Sequence, residues 1–360
     1  MVEVMTQRGK LIFINGLILF IGCAVLELIF GGWFNEDNRL NGLNLIRNKT
    51  YIYTSDLYTE TPIEIKYSRD KYGLRGNSIL NTPEKIDILT IGGSTTDQRY
   101  ITDGKTWQDV LENCFKKEGR EVLVANAGVD GQSTFGHIKN FEIWFPKIPN
   151  LNTKYILFYI GINDFYLIEN ERVFDNLGYN NLRKIKDNSV FYNLLRTIKG
   201  IWTANRRKLG HQKIDFTDYK YTNEDITPNE LYSLYKNNLK GFEGRLSILL
   251  NHAKRLNAEP IFITQPSLKF KLNEEGNLTG VTNINYIYDY PYNGFDYYHL
   301  LSMLNESIKK IAGSETLVVE LTPKFIWEEE DFYDFVHNTP QGAEKLGKEI
   351  YRQIKNKVDF

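Results

Sequence analysis

Five short apolar runs recur through the chain, each closed by glycine, asparagine or proline, with amphipathic stretches between them. The runs are Ile86–Ile91, Glu121–Asn126, Tyr155–Ile160, Pro260–Gln265 and Thr316–Leu321. Each is rich in β-branched or aromatic residues and too short for a stable helix, so each reads as a strand. Between them Trp107, Val110, Leu111 and Phe115 recur at helical spacing. A longer stripe runs from Leu231 through Leu239 and Leu246 to Leu256, and another from Leu300 through Leu304 to Ile311. A last helix is expected from Thr339 as N-cap and Pro340 in the first turn, with Ala343, Leu346, Ile350 and Ile354 on one face. Strands alternating with helices predict an α/β fold, a parallel sheet covered on both faces. Ligands of such sheets bind beyond the carboxyl ends of the strands, so the residues just after each run carry the functional information.

One segment stands apart. Leu11–Phe34 contains a single charge, Glu27, and a single amide, Asn15. As a helix it would be about 36 Å long, enough to cross a bilayer with some tilt. Arg8 and Lys10 precede it, which predicts a cytoplasmic N-terminus and an extracytoplasmic remainder. A cleaved signal peptide is the alternative, but the apolar stretch is long for one and no small-x-small site follows. Cys23 is a poor lipoprotein cysteine, because the apolar run continues past it. The mean hydropathy of -0.40 averages this end with a polar remainder.

The 360 residues are expected to divide into a transmembrane anchor (1–34), a linker and packed lead-in (35–80) and one α/β domain (81–360). Two stretches interrupt the alternation, at about 165–227 and 269–298, and read as cap-like insertions. Lys and Arg number 44 against 45 Asp and Glu, a net charge of -1, which speaks against a nucleic-acid partner. The one tight basic cluster, Arg206-Arg207-Lys208, reads as a solvated helix face. Two distant cysteines, Cys23 and Cys114, build neither a disulfide framework nor a four-ligand zinc site. Neither an H-E-x-x-H nor a Walker pattern occurs, so no metal and no cofactor is expected. Oligomeric state is not legible.

The strand ends carry a set of parts suited to acyl transfer. The first run leads into Gly92-Gly93-Ser94-Thr95, the second into Asn126-Ala127-Gly128-Val129-Asp130-Gly131, and the third into Gly161-Ile162-Asn163-Asp164. The last run is followed by Asp334-Phe335-Val336-His337. A serine in a glycine turn exposes its Oγ and its N–H together. A glycine lets its N–H approach an oxyanion, an asparagine adds a donor, and a His with an Asp three residues earlier supplies a base and its orienter.

These four blocks, in this order, resemble those of the SGNH hydrolases of the GDSL esterase/lipase superfamily, over roughly residues 68–164 and 255–357. The lead-in Tyr72-Gly73-Leu74-Arg75-Gly76 is similar to one in membrane-anchored bacterial members. The resemblance implies a flavodoxin-like three-layer α/β/α sandwich with a five-stranded parallel sheet. It implies Ser94 as nucleophile, Asp334 and His337 completing a Ser-His-Asp triad, and an oxyanion hole of Ser94, Gly131 and Asn163. Gly93 stands where the family's first block carries Asp, a residue outside the triad.

The implied function is a serine esterase, with an extracytoplasmic O-acylated (acetylated) glycan or related ester as substrate. Two alternatives stay open: an O-acyltransferase of an envelope polysaccharide with the same triad, and a non-catalytic glycan-binding or assembly protein that keeps the fold. Gln265, at the end of the fourth run, is a candidate substrate contact. His137, His211, His252 and His299 are read as structural.

Overall fold

In the computed structural model, which describes residues 7–34, 40, 42–76, 82–167, 169–178, 181–207, 211–322 and 325–360, the chain forms two compact units. One comprises Met1–Leu43 and Gly178–Gly210, the other Asn44–Leu177 and His211–Phe360. In chain order the elements are α1 (Gln7–Phe30), β1 (Lys49–Ser55), β2 (Ile63–Arg69), β3 (Ile88–Gly92), α2 (Ser94–Asp97), α3 (Trp107–Lys117), β4 (Val124–Asn126), α4 (Thr134–Lys139) and β5 (Tyr155–Tyr159). There follow α5 (Asn181–Asn188), α6 (Val190–Arg207), β6 (Tyr221–Thr222), α7 (Asn229–Arg255), β7 (Glu259–Ile263), β8 (Phe270–Leu272) and β9 (Leu278–Val281). β10 (Asn285–Ile287), β11 (Tyr290–Tyr292), α8 (Gly294–Ala312), β12 (Leu317–Val319) and α9 (Pro340–Ile354) complete the chain.

The larger unit is built on a five-stranded parallel sheet in the order β12-β7-β5-β3-β4. Its five strands are the five apolar runs, with boundaries moved by up to three residues. Counted by appearance in the chain, the order across the sheet is 2-1-3-4-5, the flavodoxin-like arrangement. β3 and β5 are buried along their whole length, as central strands covered on both faces must be. On one face α3 and α9 pack Trp107, Leu111, Phe115, Leu346 and Ile350 against Ile88, Val124, Leu157 and Ile261. The alternate strand residues, Ile156, Phe158 and Phe262 among them, are buried on the opposite face, where α7 packs on β7 and α8 on β12. Both helices of the first face start on their sequence signals. Thr106 and Asp109 form a capping box, and Thr339 Oγ1 accepts from Gly342 N at 3.2 Å with Pro340 next in line.

The lead-in is more structured than a linker. β1 and β2 form an antiparallel hairpin from Lys49↔Arg69 to Ser55↔Ile63. At its end the Arg69 guanidinium is buried and reaches Asp97 Oδ1 at 2.8 Å, Gly128 O at 2.5 Å and Gly73 O at 2.6 Å. Arg75 adds guanidinium bonds to the carbonyls of Asp97 and Ile101. Two arginines thus tie the hairpin to the turn that follows β3. Removing one partner of a buried ion pair leaves an uncompensated charge. Arg69→Met is therefore expected to lower unfolding free energy by about 3–5 kcal/mol, read by denaturant titration. A change near zero would show that the pair is not holding the turn.

The stretch expected at 269–298 is small β structure up to Tyr292 and helix α8 from Gly294: β8 and β9 join β6, from the other interruption, in a three-stranded antiparallel sheet β6-β9-β8, and β10–β11 form a hairpin. The other interruption is divided. Residues up to Leu177 and from His211 belong to the larger unit, and Gly178–Gly210 to the smaller. The basic cluster expected near Arg206 ends at Lys208, which lies outside the described residues. In the smaller unit, an 18-residue stretch within Gly9–Phe30 of α1 has a mean hydropathy of 2.4 and none of it is buried. By length and composition it is suited to a membrane span or a signal sequence.

Candidate active site

The order of the sheet reverses at β3, with β4 on one side and β5 on the other, and the candidate residues gather at that switch point. Ser94 opens α2 two residues after β3 ends, and Asn163 follows β5 in a single 3-10 turn, Ile162–Asp164. His337 arrives from the loop between β12 and α9. Its Nε2 lies 2.7 Å from Ser94 Oγ, across 243 residues of sequence. Its Nδ1 lies 2.7 Å from Asp334 Oδ2.

Asp334 is held by its own loop. Its Oδ1 accepts from Val336 N at 2.9 Å and from His337 N at 2.8 Å. Burial opposes its charge, but the bonds from the His337 ring and these two N–H groups outweigh it, and the carboxyl sits below its ordinary range. An ionised Asp334 fixes the His337 tautomer that leaves Nε2 free to accept the Ser94 proton.

The donor side is built from two glycine turns. Gly131 has φ +75, a left-handed conformation, and a Cβ there would crowd the Phe174 ring at 2.8 Å. The loop that carries it is anchored by two buried carboxylates. Asp164 accepts from Thr134 N and Oγ1 and pairs with Arg245, while Asp175 accepts from Ser133 N, Ser133 Oγ and Gly136 N. Among the described residues, neither the Ser94 N–H nor the Gly131 N–H has an acceptor in the protein. Asn163 Nδ2 donates one N–H to Gln132 O at 2.8 Å, which fixes the amide and leaves the second N–H. A Cβ on Gly93 would run into that same Nδ2. Glycine at this first-block position is thus tied to the placing of Asn163. Truncating Asn163 to Ala is expected to lower kcat by about 100- to 1000-fold with little change in KM. Equal kcat values in the two proteins would remove the amide from the site.

Gln265 is placed differently from the sequence expectation. It is buried, its Oε1 accepts from Ile162 N at 2.5 Å and its Nε2 donates to Thr95 Oγ1 at 2.8 Å. It braces the Ser94–Thr95 turn against the Asn163 turn, because a side chain at the end of β7 points between the two neighbouring loops, not out of the cleft.

Sequence reasoning missed His211. Its ring lies 4.2 Å from that of His337, tilted by 60°, and Tyr333 stacks on the His337 ring at 5.6 Å and 8°. His211 Nδ1 and the Tyr333 hydroxyl share a 2.7 Å hydrogen bond. Burial, with a further contribution from His337, pushes His211 down to about 4. No local pattern marks this residue, since it follows a basic segment and ends no strand. His211, Asp334 and His337 also converge closely enough to hold a cation. Both nitrogens of His337 are already engaged, by Asp334 and Ser94, so the cluster fits a hydrogen-bonded relay better than a metal centre. His137 is buried in α4, where burial lowers it to about 4, and His252 stacks on Phe141.

A cleft of about 340 Å³ opens over Ser94, Asn163, Asp334 and His337. Phe165, Tyr166, Tyr297, Phe335 and Lys269 complete its wall. Much of the aromatic content of this region is core: Phe165 packs on Tyr235, Tyr292 and Tyr297 with ring centroids 4.4–5.9 Å apart. Tyr166 is the exposed exception. Lys269 lies over the Tyr297 ring at 4.5 Å, and burial pushes its ammonium down to about 8.

No model of a known protein family matches the chain, and no curated protein matches it. Among solved structures it is similar to a single-site variant of an acetyl xylan esterase from Geobacillus stearothermophilus, with 15% identity and a TM-score of 0.42 over 77% of this chain and 99% of that one. It is also similar to a psychrotrophic esterase from Pseudoalteromonas sp., with 10% identity and a TM-score of 0.39 over 75% and 97% of the two chains. A GDSL-like lipase from Bacteroides thetaiotaomicron VPI-5482 has 14% identity and a TM-score of 0.36 over 76% and 87%. These likenesses are distant, and the functional reading rests on the geometry of the site.

Proposed function

We propose that the chain is a serine ester hydrolase of the SGNH type, held at a membrane by α1 with its catalytic unit outside the cytoplasm. Its substrate on this reading is an O-acyl, above all O-acetyl, ester of a glycan or related molecule. The observation that carries the proposal is the continuous relay Ser94 Oγ–His337 Nε2 and His337 Nδ1–Asp334 Oδ2, with 2.7 Å at each contact.

His337 takes the Ser94 proton as Oγ attacks the ester carbonyl. The new C–O bond forms while the carbonyl pair moves onto oxygen, where the N–H groups of Ser94 and Gly131 and the Asn163 amide receive it. Collapse of the tetrahedral adduct breaks the bond to the alcohol, which leaves with the proton from His337. Water, deprotonated by His337, then releases the acid and restores Ser94. Asp334 and His337 are half-buried, not sealed, which leaves water a route to the acyl-enzyme.

The test is an ester panel, starting with p-nitrophenyl acetate and an O-acetylated oligosaccharide, with the acid and any acylated acceptor quantified. Release of acetate supports the hydrolase. Preferential transfer to an added oligosaccharide supports the acyltransferase instead, and no turnover of any ester favours a binding protein. Acidity adds a sharper check. Burial keeps His211 uncharged above about pH 4, so between pH 5 and 8 it takes up no proton beside the His337 ring. Activity requires a neutral base, so log(kcat/KM) is expected to rise with pH along a slope of one. A slope of two would mean that His211 charges in the working range.

A further inference from the structure

The smaller unit carries an apolar surface that the proposed chemistry does not use. α6 places Phe191, Leu194, Leu195 and Ile198 on one face, and the sequence continues the same spacing to Trp202. Leu194, Leu195 and Ile198 are 56, 66 and 57% exposed. In α5, Leu182 and Ile185 are likewise exposed, one turn apart. Residues 181–208 hold eight Lys and Arg against one Asp, in a chain whose net charge is -1.

The start of α6 is fixed by α1. Glu27 Oε1 accepts from Ser189 Oγ at 2.6 Å and from Phe191 N at 3.3 Å, and its Oε2 accepts from Val190 N at 3.0 Å. A carboxylate thus caps the N-terminus of α6 with two of the N–H groups that have no partner within the helix. The same Oε2 receives Trp33 Nε1 at 3.1 Å. Glu27 is the only charge in the apolar run and sits near its C-terminal end, with Trp33 just beyond, where an indole is suited to a membrane interface.

We infer that α5 and α6 form an amphipathic surface element that lies in the headgroup region of the bilayer crossed by α1, apolar stripe toward the acyl chains and basic residues toward anionic headgroups. Three features choose lipid as the occupant. The capping bonds start α6 at the end of the apolar span. The stripe lies in the same unit as the exposed apolar side chains of α1. The basic excess complements an anionic membrane surface. The inference rests on α1 crossing a membrane.

The test uses the full chain with Cys23→Ser and Cys114→Ser, reconstituted in vesicles of mixed phosphatidylcholine and phosphatidylglycerol. Nitroxides are attached singly at Leu194→Cys, Leu195→Cys and Ile198→Cys, at Asn193→Cys and Arg196→Cys on the other face, and at Leu19→Cys within α1. Collision with oxygen, enriched in lipid, is compared with collision with a water-soluble nickel chelate. The oxygen-to-nickel ratio is expected to be several-fold higher at 194, 195 and 198 than at 193 and 196, and to fall in vesicles of phosphatidylcholine alone. Nickel access at 195 equal to that at 196, with Leu19→Cys in lipid, would overturn the proposal while sparing the anchor. Leu19→Cys in water would mean that the anchor reading itself fails. Protection of 194, 195 and 198 from both reagents would overturn lipid in favour of a protein partner, a second copy included. An unchanged contrast in pure phosphatidylcholine would overturn the anionic-headgroup assignment.

Discussion

Ser94→Ala is expected to lower kcat toward p-nitrophenyl acetate by about ten-thousand-fold to a million-fold, the range seen when a triad nucleophile is removed. The side-chain oxygen's hydrogen-bond partner is His337 Nε2, so its loss does not unsettle the fold. Alanine keeps the backbone N–H, so the oxyanion donors persist and a residual rate above that of water remains. Thermal unfolding of the variant is expected to coincide with that of the unsubstituted protein, which separates lost chemistry from lost structure. A rate within about tenfold of the unsubstituted protein would sink the catalytic assignment.

Asp334→Asn is expected to lower kcat by about ten-thousand-fold. The asparagine Oδ1 still accepts from Val336 N and His337 N, so the turn keeps its shape. The other atom, now an NH₂ donor, replaces the carboxylate oxygen that faces His337 Nδ1. His337 then accepts at Nδ1 and carries its proton on Nε2, where it meets the Ser94 hydroxyl donor to donor. The charge that stabilises the imidazolium is lost as well. The measurement is kcat on the same ester beside a denaturation curve. A loss smaller than about tenfold would place Asp334 outside the machinery.

The sheet was legible in the sequence because each strand is a bounded apolar run. The four blocks stand after those runs, and it was their resemblance to SGNH hydrolases, not any contact, that singled out Ser94, Gly131, Asn163, Asp334 and His337. The hairpin of β1 and β2 was harder, although Ile63, Ile65 and Tyr67 alternate with polar residues, a period-2 signal in a stretch read as a lead-in. The purpose of Arg75 was hidden, since its hydrogen-bond partners are backbone carbonyls that leave no trace in residue type and its ion-pair partner, Asp103, is distant in sequence. Gln265 illustrates the opposite error. Its position after β7 was right for a ligand contact, but that its amide faces inward and bonds both neighbouring loops depends on tertiary geometry. His211 carried no signal at all, because its role comes from a chain crossing that places it beside His337.

The pairing Gly92↔Tyr159 makes β3 and β5 immediate neighbours. The gap between the Ser94 and Asn163 turns is therefore set by a backbone ladder of about 4.8 Å spacing, which acts as a ruler that no rim loop can stretch. The acid–base arm has no such gauge, for it hangs on one loop between β12 and α9. The two halves of the site should age differently under evolution or design. Rim segments can be exchanged while the spacing of Ser94 and Asn163 stays fixed, and the cost of each exchange will be felt first in the angle at which His337 meets Ser94.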